Sequence, residues 1–213
     1  AGVATLAALP VAVAVAWLLA RKRFRGWHVV NGLVHLPLVL PPVVTGYLLL
    51  LLFGRQGPLG GALFEFFGVT LAFRWTGAAL AAAIMAFPLM VRAIRLSIET
   101  VDPRLEEASA TLGASRFWVF ATVTLPMILP GILTGAILAF AKAMGEFGAT
   151  ITFVSNIPGQ TQTLPSAIYA FLQVPGGQDA ALRLVIVSVV IAMAALLASE
   201  VLARRISKRV SGT

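Results

Sequence analysis

Asp102-Pro103-Arg104-Leu105-Glu106-Glu107-Ala108-Ser109-Ala110-Thr111-Leu112-Gly113 is a polar, sharply bounded segment between two long apolar runs. Asp102 can cap a helix, and Pro103 suits the first helical position, where its missing N–H is no loss. Gly113 supplies the left-handed backbone that ends one. Leu105, Ala108, Ser109 and Leu112 follow the i, i+3, i+4, i+7 spacing and form one small apolar face. Arg104 stands three residues before Glu107 and can pair with it. Ser115 can start a further helix through Phe117, Trp118 and Phe120. A helix this short is marginal alone and needs a surface to pack against. The inner face of a membrane is one such surface, suited to Arg116, Phe117 and Trp118. A partner protein is the other, favoured because the adjacent acids Glu106 and Glu107 disfavour anionic lipid.

Outward from this segment the chain is 59% hydrophobic and 11% charged, with mean hydropathy +0.95, the composition of an integral membrane protein. Five runs, over about residues 1–20, 29–53, 76–95, 125–147 and 182–203, reach the roughly 17–25 apolar residues of a spanning helix. They lack the alternation of barrel strands and suit helices, which satisfy their own backbone hydrogen bonds in hydrocarbon. The expected fold is an all-α polytopic transmembrane helical bundle of at least five spans. It forms a single domain over 1–213, with the polar loop at about 102–124 inside it. The chain opens at Ala1 rather than Met, within an apolar run, and reads as lacking a few N-terminal residues. That run continues to Ala20, which is long for a cleaved signal peptide.

The formal net charge of +8 raises nucleic acid as a partner, but the cations lie beside apolar runs rather than in a polar domain with stacking aromatics. Twelve of the sixteen Lys and Arg fall in one set of segments: Arg21, Lys22, Arg23, Arg25, Arg92, Arg95, Arg104, Arg116, Arg204, Arg205, Lys208 and Arg209. The opposite side holds Arg55, Arg74 and Arg183, and Lys142 lies within a span. The positive-inside rule then puts the N-terminus outside, the C-terminus in the cytoplasm and the 102–113 helix on the cytoplasmic face.

Leu36-Pro37-Leu38-Val39-Leu40-Pro41 echoes Leu125-Pro126-Met127-Ile128-Leu129-Pro130, as chance in a Leu/Pro-rich sequence or as a repeat. Either way, both spans should be kinked there. Lys142 and Glu146 stand one helical turn apart within the fourth span, where ionisable groups are candidates for function. They also suit an intramembrane pair, or a Glu146 near the outer boundary, that holds adjacent subunits in register. A carboxylate would repel an anionic cargo, which favours the pair. Gly145 and Gly148 suit close helix approach.

From Glu146 to Asp179 no Asp, Glu, Lys, Arg or His intervenes. Thr150, Thr152, Ser155, Asn156, Gln160, Thr161, Gln162 and Thr163 offer neutral donors instead. These could solvate an anion weakly at an outer mouth or gate, or form an uncharged loop that docks a binding protein. Thr45 is a further pore hydroxyl or a bond to its own helix. His28 and His35 lack Cys or carboxylate neighbours and read as interfacial or packing residues, with no metal site. Trp17, Trp27, Trp75 and Trp118 stand near span ends as anchors.

The chain has no cysteine, hence no thiol nucleophile. It has no Gly-x-x-x-x-Gly-Lys-Ser/Thr, no His-Glu-x-x-His and no Gly-x-Ser-x-Gly. It reads as a non-enzyme whose energy source is borrowed.

Glu107-Ala108-Ser109, with Gly113 and then Leu125-Pro126, resembles the EAA loop of ABC-importer permeases, with Ser109 in place of the second alanine. Four further stretches are similar to the molybdate branch of that family. They are His35-Leu36-Pro37-Leu38-Val39-Leu40-Pro41-Pro42, Phe87-Pro88-Leu89-Met90-Val91-Arg92, Gly145-Glu146-Phe147-Gly148-Ala149-Thr150, and Ser155 to Gly159 through Thr163-Leu164-Pro165. Sulfate permeases are similar around Gly145–Gly148.

The resemblance implies a type I ABC importer permease fold and inward transport of molybdate, with tungstate, by alternating access. A sulfate or thiosulfate permease is the alternative; an ion-coupled secondary transporter, with Lys142 and Glu146 as its only coupling chemistry, is a further one. It implies that Glu107, Ala108 and Gly113 form the contact core with the ATPase, that Leu105 and Leu112 anchor it, and that Glu106 and Ser109 belong to the same coupling face. Thr45, Glu146, Thr150 and Thr152 are the candidates for the path or gate. The implied partners are a second copy of the chain, two cytoplasmic ABC ATPase subunits that bind ATP and Mg, an extracytoplasmic molybdate-binding protein and the lipid bilayer, with no nucleic acid. The implied location is the cell inner membrane.

Overall fold

The computed structural model describes residues 1–210, with side chains described for 1–198 and Val201. The expected cations Arg204, Arg205, Lys208 and Arg209 therefore lie outside the described side chains. In chain order the helices are α1 (Gly2–Arg21), α2 (Trp27–Val39), α3 (Pro42–Phe53), α4 (Pro58–Phe67), α5 (Trp75–Glu99) and α6 (Pro103–Thr111). There follow α7 (Arg116–Val119), a π-helical turn (Phe120–Thr124), α8 (Leu125–Met144), α9 (Gly148–Val154), α10 (Leu164–Leu172) and α11 (Gln178–Val210). Among the described residues every regular element is helical.

Four continuous stretches are long and apolar enough to cross a membrane: Gly2–Arg21, Trp75–Glu99, Arg116–Met144 and Gln178–Ala198. The expected run over 29–53 is not one straight helix. It breaks between α2 and α3 with a bend of 118°, so it makes a fifth span only if the bent pair is taken together. The cause is the double proline. A residue before proline is pushed out of helical backbone, and here Leu40 and Pro41 both precede one and are both extended, with ψ of 143° and 135°. The echoing segment behaves differently because its prolines are not adjacent. Pro126 sits in the first turn of α8, the π-helical turn before it loosens the backbone, and α8 continues past Pro130 unbroken.

Helix α5 is the centre of the bundle, flanked by α1 and α8. Half of its apolar window is buried, against 6% for that of α11, which among the described residues packs chiefly on α8 and α10. The seams are built from small residues. On α8, Gly131, Gly135, Ala139 and Ala143 recur every four positions toward α5. A Cβ on Gly131 would strike the Ser97 side chain, and one on Gly135 would lie 3.1 Å from the Met90 carbonyl oxygen. On α1, Ala4, Ala8, Ala12 and Ala16 do the same and pack with Ala82 and Ala86 in one core. Between helices surrounded by lipid, such close backbone approach supplies the packing that apolar surface alone does not.

A second, smaller core joins α3 to α9 around Leu49, Phe153 and Val154, with Ala81 and Met85 of α5 beneath. Gly46 marks the close approach of α3 and α9: a Cβ there would lie 2.5 Å from the Ala149 carbonyl oxygen. Gly148 is nearly as tight against Pro42, at 2.7 Å. Gly46→Leu should therefore separate α3 from α9 and destabilise the fold by about 2 kcal/mol or more. The check is the thermal midpoint of the detergent-solubilised protein; an unchanged midpoint would show that the contact is dispensable.

Candidate functional site

Helix α6 is capped at both ends as its sequence requires. The Asp102 carboxylate accepts from Arg104 N at 2.9 Å, and Pro103 opens the helix. At the other end Gly113 takes φ +87°, Gly113 N donates to Ala110 O at 3.0 Å and Ala114 N to Ser109 O at 3.3 Å. This is the six-to-one and five-to-two bonding of a Schellman stop. Ser115 then caps α7 by accepting from Trp118 N.

The apolar side of α6 looks outward. Leu105 is 46% exposed and Leu112 89% exposed, Ala108 is exposed and Ser109 half-buried. Phe117 and Trp118 on the following turn are exposed as well. A capped helix that turns apolar residues away from its own bundle is prepared for contact.

The two acids have different tasks. The expected pair between Arg104 and Glu107 does not form among the described residues; Glu107 is exposed. Glu106 faces inward instead, where its Oε1 accepts from Arg21 at 3.0 Å and from the Thr124 hydroxyl at 2.7 Å. Arg21 also donates to Val101 O at 3.0 Å. The partners lie 85 and 18 residues away in the chain, so no local pattern could announce them. The contacts also place the Arg21 cluster and the loop after α5 at one end of the bundle.

Glu146 is the other charged junction, and its surroundings correct the expectation of a pair within one helix. Helix α8 ends at Met144, and Glu146 lies in the turn between α8 and α9. Its carboxylate still reaches Lys142 Nζ at 3.3 Å, and it also accepts from Ala149 N at 2.9 Å. Only 3% of Glu146 is exposed, so it is a buried brace between two helices. Glu146→Ala should unseat α9 and leave Lys142 without its carboxylate, costing about 3 kcal/mol. Glu146→Gln, which keeps an acceptor for Ala149 N, should cost clearly less, as read from thermal midpoints. Equal losses in the two would dismiss the bracing role.

The remaining candidates surround this junction. Thr150 donates to the Glu146 and Phe147 carbonyls at 3.2 and 2.9 Å, and Thr152 to Gly148 O at 2.8 Å. Glu146 and Thr150 border a cavity of about 210 Å³ together with Trp75, Gln160 and Gln162. Thr152 lies two residues on, hence on the other side of α9, against Gly46. Thr45 is buried in α3, and its hydroxyl has no partner among the described residues.

The neutral loop is mostly knotted into itself. Thr161 donates to Ser155 O and accepts from Ile157 N, while Ser166 donates to the Asn156 side chain. Thr163 and Ser166 form a capping box on α10. Ser155 sits at φ +65°, ψ −166°, a region that only glycine enters freely. Gln160 and Gln162 remain exposed.

Residues 8–212 match the model of the binding-protein-dependent transport system inner membrane component. The chain belongs to that family. It is thus a multi-pass component of the inner membrane, and ATP hydrolysis belongs to a partner subunit. The chain is 59% identical over 201 residues to the molybdenum transport system permease protein ModB of Escherichia coli (strain K12), covering 94% of this chain and 88% of that one. The protein of the same name from Haemophilus influenzae is 55% identical over the same shares. A probable sulfate transport system permease protein of Chlorokybus atmophyticus is 38% identical over 161 residues, 76% of this chain and 56% of that one.

Among solved structures, a chain of the bacterial alginate ABC transporter superposes with TM-score 0.74 at 18% identity, covering 97% of this chain and 76% of that one. A chain of the inward-facing MetNI methionine ABC transporter gives 0.67 at 16%, covering 96% and 94%. At those identities the likeness is one of fold. It is the fold of ABC importer permeases.

Proposed function

We propose that the chain is the permease subunit of an ATP-driven importer carrying molybdate, and tungstate with it, inward by alternating access. The observation that carries the cargo is the 59% identity, over 94% of the chain, to a protein named for molybdenum transport. The whole of 1–213 serves as one transmembrane permease domain, with the coupling segment 102–124 inside it. Two copies enclose the path between them. Two ATPase subunits, which bind ATP and Mg, seat the α6 helices, and an extracytoplasmic molybdate-binding protein delivers the anion.

The outward apolar face of α6 supports the docking role. Leu105, Glu107, Ala108, Ser109, Leu112 and Gly113 meet the ATPase, and Glu106 secures the helix from behind. The N-terminus is outside and the C-terminus cytoplasmic, which the grouping of the Arg21 and Arg92–Arg116 cations at one end supports. Closure of the ATPase pair on ATP draws the α6 helices together and turns the path outward; hydrolysis resets it. The path or gate runs past Thr45, Glu146, Thr150 and Thr152. The cavity shared by Glu146 and Thr150 supports the part of this path that they border, with Gln160 and Gln162 as neutral groups that hold a dianion weakly.

Reconstitution with the partner ATPase and binding protein, using molybdate, tungstate and sulfate in turn, tests class and cargo together. Uptake should need ATP, survive collapse of the proton gradient and prefer molybdate and tungstate. Preference for sulfate would move the chain to the sulfate branch, and ATP-independent uptake would end the importer reading. Glu107→Arg should leave the protein in the membrane but lower the ATPase recovered with it by about tenfold, the effect of placing a wrong charge at an interface. Normal recovery would show that α6 does not dock there.

A further inference from the structure

We infer that Glu106 is a positioning residue for transport, whose carboxylate ties α6 to α1 and to the head of α8 and carries the motion of α6 into both. The inference rests on the docking reading of α6 and adds a transmission route within this chain. Three facts carry it.

The first is convergence. A single oxygen, Glu106 Oε1, receives the Arg21 guanidinium and the Thr124 hydroxyl, at 3.0 and 2.7 Å. The Arg21 nitrogen that holds it also holds Val101 O, which fixes the strand of backbone leading into α6. The second is desolvation. Thr124 is 1% exposed, and the Arg21 and Glu106 side chains are 16% and 22% exposed. Charge-assisted hydrogen bonds sheltered in this way are short, strong and directional. The third is that, among the described residues, these bonds are the side-chain hydrogen bonds that join α6 to α1 and to the head of α8. Helix α6 has no fully buried residue and packs on α7 and the π-helical turn. Without the Glu106 bonds a push on α6 would tilt the helix on its loops rather than move spans.

The π-helical turn belongs to the same device. Its wider winding brings Thr124, its last residue, inward against Glu106 immediately before the first turn of α8. The cavity beside the junction, of about 300 Å³, is bordered by the further charges Lys22, Glu107 and Arg116. Lys22 rests over the Trp17 ring at 5.6 Å. The two acids therefore divide the work. Glu107 is exposed at the rim of this cavity, free to meet a partner, and Glu106 faces in toward the spans.

The test uses the complete transporter in proteoliposomes, with the partner ATPase and molybdate-loaded binding protein. Glu106→Gln, Arg21→Gln, Thr124→Val and the swapped pair Arg21→Glu/Glu106→Arg are compared with Glu107→Arg. The readouts are the ATPase retained on the purified complex, the stimulation of ATP hydrolysis by the loaded binding protein, and molybdate uptake.

Glu106→Gln and Arg21→Gln should retain the ATPase yet lose stimulation and uptake by about tenfold, the scale of an ordinary coupling free energy. Thr124→Val should fall the same way by less, and the swapped pair should recover most of the loss. Native coupling in Glu106→Gln overturns the inference. So does shedding of the ATPase by Glu106→Gln, which would make it a contact residue like Glu107. Should Glu106→Gln fail to accumulate, Thr124→Val and the swapped pair decide: native coupling in the first, or no recovery in the second, overturns it. Retention of the ATPase by Glu107→Arg defeats the docking reading separately.

Discussion

In hydrocarbon, contact with a neighbouring helix is no more apolar than contact with lipid, so burial of Leu and Val does not by itself hold a bundle together. What remains is the dispersion gained when backbones come close, and that depends on missing side chains. The Gly131, Gly135, Ala139, Ala143 seam of α8 and the Ala4, Ala8, Ala12, Ala16 seam of α1 grip α5 from two sides. Among the described residues α2, α9 and α11 pack on this three-helix core directly, α3 joins it largely through α9 at Gly46 and Gly148, and α10 joins it through α11. Helix α11, by contrast, buries only 6% of its apolar window.

A membrane bundle can interrupt a helix only where the freed polar groups find partners. Three of the junctions here are met by specific residues. At the break between α8 and α9 the Glu146 carboxylate takes the Ala149 N–H, and Lys142 neutralises it. At the end of α9, Ser155 accepts a strained backbone while its carbonyl takes the Thr161 hydroxyl. At the head of α8, Thr124 turns its hydroxyl to Glu106. The polar residues of the chain are thus concentrated at its breaks, where they set the angles between helices.

How much of this could be read from sequence follows from range. The caps of α6, the stop at Gly113 and the existence of the long helices rest on neighbours within a few residues, and the structure has them. The bend at Pro41 was legible as a kink, but the size of a turn made by two successive extended residues was not. The four-residue spacing of Gly131, Gly135, Ala139 and Ala143 was present as a signal and was hidden by the stronger apolar run around it. Arg104 and Glu107 have the spacing of a pair, yet Glu106 wins a buried partner from α1 that only the folded chain brings near. The fold of the Thr150–Thr163 region also depends on bonds that the residues make among themselves, so their polarity alone did not tell loop from lining.

The geometry of α8 sets a mechanical ratio. Its 20 residues make a rod of about 30 Å, held at one end by the π-helical turn and carrying the Glu146 brace at the other. A rod of about that length, tilted by roughly 5° about its middle, shifts each end by about 1.3 Å in opposite directions. Near the middle of the rod, where Gly131 and Gly135 meet α5, the shift is only a fraction of that. The close Gly131–Gly135 contact can therefore stay in place as a fulcrum while the two ends of α8 swing in opposite directions about it.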